Sequence, residues 1–303
     1  MTLPGLNTPP ILLAKSRLRD RWTVAADMPE VRRHHAAVPL SDGRVLVCGG
    51  RSASTTYDTA RIYNPSTNSW SSVANMPGGR RAHAAAPLSD GRVLVCGGYD
   101  VVTARRNTTW IYNPSTNSWS SAANMPGERV SHAAALLSGG GVLVCGGYDG
   151  SYRNTAWVYN PWTNSWGSVP NMPEARSGHA AASLSDGRVL VCGGYNGSSY
   201  FSTAWIYSPF TNSWSSVANM PEARSGHAAV PLADGRALVC GGYDGSYRNT
   251  TWIYNPSTNS WSSVANMPEV RRHHASAPLP DGRVLVCGGW DGSTTYNTAR
   301  IYG

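Results

Sequence analysis

The chain has 303 residues and a formal net charge of +8, and it contains 32 glycines, 20 prolines and only 14% charged residues. This composition is typical of a turn-rich all-β protein, and it excludes a mainly helical or a disordered chain. No stretch approaches the roughly 20 apolar residues that a membrane-spanning helix needs, so we expect no membrane partner.

The predicted elements recur with a period of 47 to 49 residues between Trp22 and Tyr302, which indicates a repeat architecture. A lead of unassigned role, residues 1–20, precedes a short tryptophan strand at residues 21–24. The first unit then predicts strands at residues 35–40, 44–48, 60–63 and 70–73. An Asp-Gly turn joins the first two of these strands, and an Asn-Pro turn joins the last two. Five further units repeat this order, and the last one stops at Gly303 without its tryptophan strand.

Each unit carries Trp, then Met-Pro, Arg, His, a Gly-Gly doublet after a β-branched run, and a Tyr that precedes Asn-Pro in four of the six units. This pattern closely resembles the kelch repeat, and it recurs six times over about 280 of the 303 residues. The resemblance implies an all-β fold: a six-bladed β-propeller whose blades are four-stranded antiparallel sheets around a central channel.

The two chain ends predict how such a propeller closes. The last unit lacks a tryptophan strand, and the Trp22 strand has no unit of its own, so we expect the Trp22 strand to complete the C-terminal blade. A clasp of this kind removes exposed sheet edges. Residues 21–303 would then form a single six-bladed propeller domain, which we expect to be a monomer.

Most repeated residues are expected to be structural. Each unit has one cysteine on a buried strand, and copies on neighbouring blades would lie too far apart for disulfides, so we predict buried free thiols. Free thiols favour a reducing compartment and therefore the cytoplasm. The repeated Trp is predicted to pack between blades, and the repeated Arg and His to bind backbone carbonyls near the channel. These two sets are Arg32, Arg80, Arg129, Arg176, Arg224 and Arg271, and His35, His83, His132, His179, His227 and His274. Because no phosphate-loop, metalloprotease or nucleophile motif occurs, we expect no cofactor and no metal.

Differences between the units concentrate on one of the two rims of the predicted propeller. The variable rim is formed by the loops between second and third strands and by the blade-to-blade connections; the uniform rim is formed by the Asp-Gly and Asn-Pro turns. Binding residues favour loops held by a rigid scaffold, so we expect the site on the variable rim. Ring closure would place Arg33 and His34 beside Arg272 and His273. The candidate ligand-binding residues are Arg33, His34, Arg51, Arg81, Tyr99, Tyr148, Tyr195, Tyr243, Arg272, His273 and Trp290. Further along these loops lie Arg105, Arg106, Arg153, Arg248, Tyr152, Tyr200 and Tyr247.

Arginines beside aromatic side chains suit an anionic, partly apolar ligand. Several kelch domains hold acidic peptides at the corresponding rim through arginines. The resemblance therefore implies a non-enzymatic binding module for an acidic protein segment or a small anion. Nucleic acid is disfavoured, because the Asp-Gly-Arg arginines spread positive charge onto the uniform rim as well.

Two alternatives stay open. Sialic-acid mutarotases also resemble six-bladed kelch propellers, and an enzyme of that kind, acting on an acidic sugar, would use His34 or His273 as general base. Without such an activity no catalytic residue is expected. The long identical strings shared by the units also fit a recently amplified or engineered scaffold that has no defined function.

Overall fold

The computed structural model describes residues 20–102 and 104–303, so the lead predicted for residues 1–20 lies outside it except for Asp20. The described chain forms six separate four-stranded sheets, and every strand pair is antiparallel. The fold is the six-bladed propeller that the kelch resemblance implies. Within the described ranges no helix is long and apolar enough to cross a membrane.

The described part of the chain contains 24 strands, of which the first is β1 (Trp22–Ala25). Blade one contains β2 (Ala36–Pro39), β3 (Val45–Cys48), β4 (Ala60–Asn64) and β5 (Ser69–Val73). Blade two contains β6 (Ala84–Pro87), β7 (Val93–Cys96), β8 (Thr109–Asn113) and β9 (Ser118–Ala122). Blade three contains β10 (Ala133–Leu136), β11 (Val142–Cys145), β12 (Ala156–Asn160) and β13 (Ser165–Val169). Blade four contains β14 (Ala180–Ser183), β15 (Val189–Cys192), β16 (Ala204–Ser208) and β17 (Ser213–Val217). Blade five contains β18 (Ala228–Pro231), β19 (Ala237–Cys240), β20 (Thr251–Asn255) and β21 (Ser260–Val264). Blade six contains β22 (Ala275–Pro278), β23 (Val284–Cys287), β24 (Ala299–Tyr302) and the N-terminal β1.

Each blade places its first strand at the channel and its fourth strand at the outside. The first strands of adjacent blades contact one another around the channel, as β2 and β6 do. The second strand, such as β3 with its Val-Leu-Val-Cys sequence, is fully buried because neighbouring blades cover both of its faces. The fourth strand has a half-buried tryptophan between exposed serines, because only one of its faces is covered.

Adjacent blades share one apolar cluster at each interface. Between blades one and two, Val38 and Ile62 pack in the same cluster as Tyr112, and Trp119 covers it from the outer strand. The Trp119 indole Nε1 also donates a hydrogen bond of 2.8 Å to the carbonyl oxygen of Ala74 in the preceding blade. The repeated tryptophans are therefore interblade packing residues, as predicted. Because every cluster draws on two blades, no blade completes its core alone.

The N-terminal strand completes the sixth blade, as predicted. Strand β1 pairs antiparallel with β24, with Trp22 opposite Tyr302. The Trp22 indole donates to the carbonyl oxygen of Ala265 at 2.7 Å, which is the contact that the other repeated tryptophans make. Asp20 stands in for the asparagine of the other blades: its Oδ1 accepts hydrogen bonds from the Ala265 N–H (2.7 Å) and the Tyr302 hydroxyl (3.1 Å). The propeller is a closed ring whose seam lies inside blade six.

The six cysteines are buried free thiols, as predicted. Burial raises the pKa of each thiol to about 12, so almost none is ionised at neutral pH. Since the thiolate is the reactive form, we expect no reaction of the native protein with dithionitrobenzoate at about pH 7.5. After unfolding in guanidinium chloride, all six thiols should react at once. Rapid reaction of any thiol in the native protein would contradict this burial.

Candidate functional site

The repeated arginines and histidines lie beneath the variable rim and hold the blades in place. Arg32 Nη1 donates to the carbonyl oxygens of Gly49 (2.8 Å) and Thr59 (3.0 Å), and the other five repeated arginines make equivalent contacts. The histidines differ from the expected carbonyl contact. Their Nε2 faces the thiol of the preceding blade, as His83 faces Cys48 Sγ at 3.7 Å. Burial, assisted by the nearby Arg80 charge, lowers the pKa of His83 to about 3, so this imidazole is neutral.

Six residues close a ring of backbone hydrogen bonds at the mouth of the channel. Each is the second residue after the repeated arginine, and its N–H donates to the carbonyl of the equivalent residue in the preceding blade at 2.7–2.9 Å. The bond from the His34 N–H to the His273 carbonyl, 2.8 Å long, closes the ring. All six residues have a left-handed backbone with φ between 53° and 67°, which glycine adopts freely at two of the positions. The ring members are His34, Ala82, Ser131, Gly178, Gly226 and His273.

The channel beside this ring is apolar. The first strands of the blades enclose a cavity of about 360 Å³ that is lined mainly by alanines, together with prolines and some of the repeated histidines. Among the described residues, no group of three or more histidine, cysteine, aspartate or glutamate side chains is arranged to hold a metal ion. Polar recognition is therefore left to the loops of the variable rim.

The two Arg-His pairs lie side by side where blade one meets blade six. The imidazoles of His34 and His273 stack, with ring centroids 3.7 Å apart and planes inclined by 24°. Burial and the charges of Arg33, Arg81, Arg272 and Arg51 lower the pKa of His34 to about 3. Burial and the contact with His34 hold the pKa of His273 well below its usual range. Both imidazoles are neutral at physiological pH, so the positive charge here comes from the arginines.

Four arginines form a cluster around the stacked imidazoles. This arginine cluster consists of Arg33, Arg51, Arg81 and Arg272. Burial and the charges of the other three members lower the pKa of Arg33. None of the four forms an ion pair with a described residue. The buried Nε atoms of Arg33 and Arg272 have no hydrogen-bond partner in the described part of the chain. The cluster thus has uncompensated positive charge and unused donors.

An arc of seven aromatic rings adjoins the arginine cluster and runs from blade three to blade six. Successive ring centroids along it are 4.7 to 5.7 Å apart. At its blade-six end, the guanidinium carbons of Arg33 and Arg272 lie 4.4 and 4.9 Å from the centroid of Trp290. The aromatic arc consists of Tyr148, Tyr152, Tyr195, Tyr200, Tyr243, Tyr247 and Trp290. Aromatic surface and positive charge are therefore continuous across the rim.

Eight of the eleven sequence-predicted candidate residues fall into these two adjoining groups, and His34 and His273 stack on each other beside the arginine cluster. Tyr99 lies under Arg81, whose guanidinium carbon is 4.6 Å from the ring centroid, and it is not part of the aromatic arc. Three tyrosines that the predicted set left out, Tyr152, Tyr200 and Tyr247, link the arc from blade to blade. Each follows the aromatic position of its own loop by four or five residues, and the loop folds back to pair the two. The recurrence of a tyrosine four or five residues after the first aromatic residue of the loop is the sequence signal that could have identified them.

Most other arginines on the two rims are neutralised locally; within the described part of the chain Arg105 is not, and its guanidinium carbon lies 5.9 Å from the ring centroid of Tyr148. Arg106, Arg153 and Arg248 on the variable rim pair with an aspartate of their own loop. On the uniform rim each Asp-Gly-Arg arginine pairs with the aspartate of its own turn, as Arg44 does with Asp42 at 2.6 Å. Positive charge is therefore not spread over both rims as the sequence suggested.

A closed ring of six four-stranded blades, with a loop-built rim beside its channel mouth, defines the chain as a six-bladed β-propeller. The chain matches the family model described as the KLHDC2/KLHL20/DRC7 Kelch-repeats domain over residues 11–174 and again over residues 120–289. It belongs to the kelch-repeat family, whose propellers are typically protein-interaction modules. No curated protein matches the chain.

Proposed function

We propose that the chain is a non-enzymatic binding module that holds an acidic segment of a partner protein, or a small anionic ligand, on its variable rim. The arginine cluster binds the negative charges, and the aromatic arc packs against the apolar part of the ligand. The family's usual role in protein interaction supports the proposal. The observation that carries it is the convergence of four arginines that have no acidic partner among the described residues.

Such a cluster is costly for the free protein. Like charges held close together repel, and the repulsion is strong where burial lowers the local dielectric constant. Stability is commonly sacrificed in this way at functional sites. A ligand carboxylate relieves the repulsion and forms charge-assisted hydrogen bonds, each of which contributes about 1.5–3 kcal/mol. Cation–π contacts with Trp290 and Tyr243 hold the guanidinium groups in place before the ligand arrives.

Serine substitutions in the cluster test the proposal. Arg33→Ser and Arg272→Ser are suitable because the equivalent positions in blades four and five are Ser177 and Ser225, so the repeat accommodates serine there. We expect both variants to fold and to melt no lower than the parent, since the change relieves repulsion. Each should bind a fluorescein-labelled glutamate–tyrosine copolymer about 10- to 100-fold more weakly, measured by fluorescence anisotropy at fixed salt.

Arg153→Ser is the matched control, because Arg153 lies on the same rim but is exposed and paired with Asp149. Its affinity for the copolymer should be close to that of the parent. If both cluster variants kept their affinity, or if Arg153→Ser lost as much as they did, the arginine cluster would not be the binding site.

The geometry does not favour the mutarotase-like alternative. A general base works best when its pKa lies near the working pH. The pKa of His34 is about 3, and its imidazole is stacked on that of His273. Such a base has little tendency to accept a proton from a sugar at neutral pH, so the rim is better suited to binding than to proton transfer.

A further inference from the structure

We infer that the arginine cluster prefers a dianionic phosphoryl group on a protein segment, such as a phosphoserine or phosphothreonine side chain, over a carboxylate. The inference rests on the proposed function, because it names the charged group that the same rim would bind. It is carried by the charge pattern of blade one and by the arrangement of the arginines around Trp290.

Blade one departs from the other blades in ways that add positive charge. The position after Gly-Gly is Tyr or Trp in the other five blades and Arg51 in blade one. The next position is Asp or Asn in the other blades and Ser52 in blade one. Arg33 stands where blades three to five have Val or Ser. In an array this uniform, two changes in blade one, at Arg51 and Ser52, add to an arginine that only blades one, two and six share, and so concentrate positive charge where an anion can reach it.

The aspartates of the two flanking blades are engaged within their own loops. In blade two, Asp100 pairs with Arg106 and accepts hydrogen bonds from backbone N–H groups of its loop. In blade six, Asp291 accepts hydrogen bonds from the Tyr296 hydroxyl at 2.5 Å and the Ser293 hydroxyl at 2.9 Å. Neither of these loop acids forms an ion pair with the arginine cluster, so the charge of the cluster is left for a ligand.

The charge and geometry of the cluster match a phosphoryl group better than a carboxylate. A carboxylate brings one negative charge, whereas a phosphorylated side chain brings up to two and three acceptor oxygens. The guanidinium groups of Arg33 and Arg272 approach the same indole ring and form no ion pair with a described residue, so one tetrahedral group can contact both. Arg51 is held in place by the carbonyl oxygens of Ser52 (2.9 Å) and Ala53 (2.5 Å). The neutral histidines between the arginines add no charge, so the match rests on the guanidinium groups.

Three peptide libraries with identical degenerate flanks, and with phosphoserine, glutamate or serine fixed at the centre, test the inference on the immobilised full chain. We expect the phosphoserine library to be retained at least 10-fold more than the glutamate library, and the glutamate library more than the serine library. The Arg33→Ser/Arg272→Ser double variant should lose the phosphoserine preference, whereas Arg153→Ser should keep it. Inorganic phosphate and a labelled oligo(dT) strand serve as further probes.

Each outcome decides a separate point. Equal retention of the phosphoserine and glutamate libraries would overturn the phosphoryl preference and leave the proposed function intact. Retention of neither library above the serine library would overturn both. If inorganic phosphate alone bound as tightly as the phosphopeptides, the ligand would not be a protein segment. If oligo(dT) bound more tightly than the phosphopeptides, through the same two arginines, the ligand class would be single-stranded nucleic acid.

Discussion

A chain that begins at Ala26, and so lacks β1, should lose at least about 3–5 kcal/mol of folding free energy and about 10 °C in melting temperature. Strand β1 supplies the fourth strand of blade six, and Trp22 packs against Tyr302 with ring centroids 5.3 Å apart. Its loss removes a half-buried tryptophan that packs at a blade interface and also exposes the unpaired edge of β24. Since an unprotected edge strand pairs readily with another chain, we also expect concentration-dependent association.

The matched control is a chain that begins at Asp20. It keeps β1 together with the Asp20 hydrogen bonds to Ala265 and Tyr302, so it should melt like the full chain. A synthetic peptide spanning residues 20–28, added to the truncated protein, should restore much of the lost stability by reforming the clasp. Scanning calorimetry and sedimentation velocity measure the two effects. A truncated chain that remained monomeric and melted with the control would show that the ring does not depend on this seam.

Point substitutions separate the packing of the tryptophan from the closing of the ring. Trp22→Ala and Trp119→Ala remove the same side chain and the same type of indole hydrogen bond, 2.7 Å long in one case and 2.8 Å in the other. Strand β9, which contains Trp119, is covalently continuous with the rest of its blade, whereas β1 is joined to the other strands of blade six only by noncovalent contacts. The Trp22 variant should therefore be the less stable of the two.

The closure of the ring was predictable because it follows from counting the strands of the repeat units. An orphan tryptophan strand at one end and a missing one at the other leave only one way to complete six equal blades. The same closure brings Arg33 and Arg272 to one indole ring although the two are remote in sequence, and so the proximity of these two candidate residues was predictable from the sequence. The strands themselves were predicted to within one residue at most ends, as for residues 70–73 and the observed Ser69–Val73.

Features that depend on backbone conformation, or on which group of a neighbouring blade or loop a side chain contacts, were not predictable. The ring of backbone hydrogen bonds at the mouth of the channel needs a residue with a left-handed backbone in every blade, but only at Gly178 and Gly226 does the residue type suggest that conformation. The histidines face thiols across the blade interface, and no pattern within one unit indicates which group of the next blade they meet. Whether an arginine is neutralised depends on the loop around it, which is why Arg33 and Arg153 look alike in the sequence and differ in the structure.

A steep loss of stability below about pH 6 is the second large effect that we expect. Six repeated histidines are 6–7% exposed in the native protein, and burial is the main cause that lowers their pKa values. In the unfolded chain they titrate near the ordinary value of about 6.5. Below that pH the unfolded chain binds more protons than the native one, so stability is complete above about pH 6.5 and falls as the pH drops towards 3. The histidines are His35, His83, His132, His179, His227 and His274.

The size of the effect follows from the number of groups. Each histidine contributes a slope that approaches about 1.4 kcal/mol per pH unit. The six repeated histidines, together with His34 and His273, whose pKa values burial also lowers, approach about 11 kcal/mol per pH unit. A typical domain is stable by about 5–15 kcal/mol. The propeller should therefore unfold near pH 5. Carboxylates such as Asp42, whose pKa a hydrogen bond from Arg44 holds below its usual range, act in the same direction only at lower pH, so the loss between pH 6.5 and 5 belongs to the histidines.

Urea unfolding at several pH values between about 5 and 7.5 measures this slope directly, and two substitutions at one interface identify its source. His83→Gln removes one of the eight titrating histidines and should reduce the slope by about one eighth. Cys48→Ser replaces the thiol whose Sγ lies 3.7 Å from Nε2 of the same imidazole, and the serine hydroxyl does not titrate in this pH range. It should lower stability by a similar amount at every pH and leave the slope unchanged. A parent protein equally stable at pH 7.5 and 5 would show that the buried imidazoles accept protons without unfolding, and that the thiol–imidazole contacts do not require the neutral form.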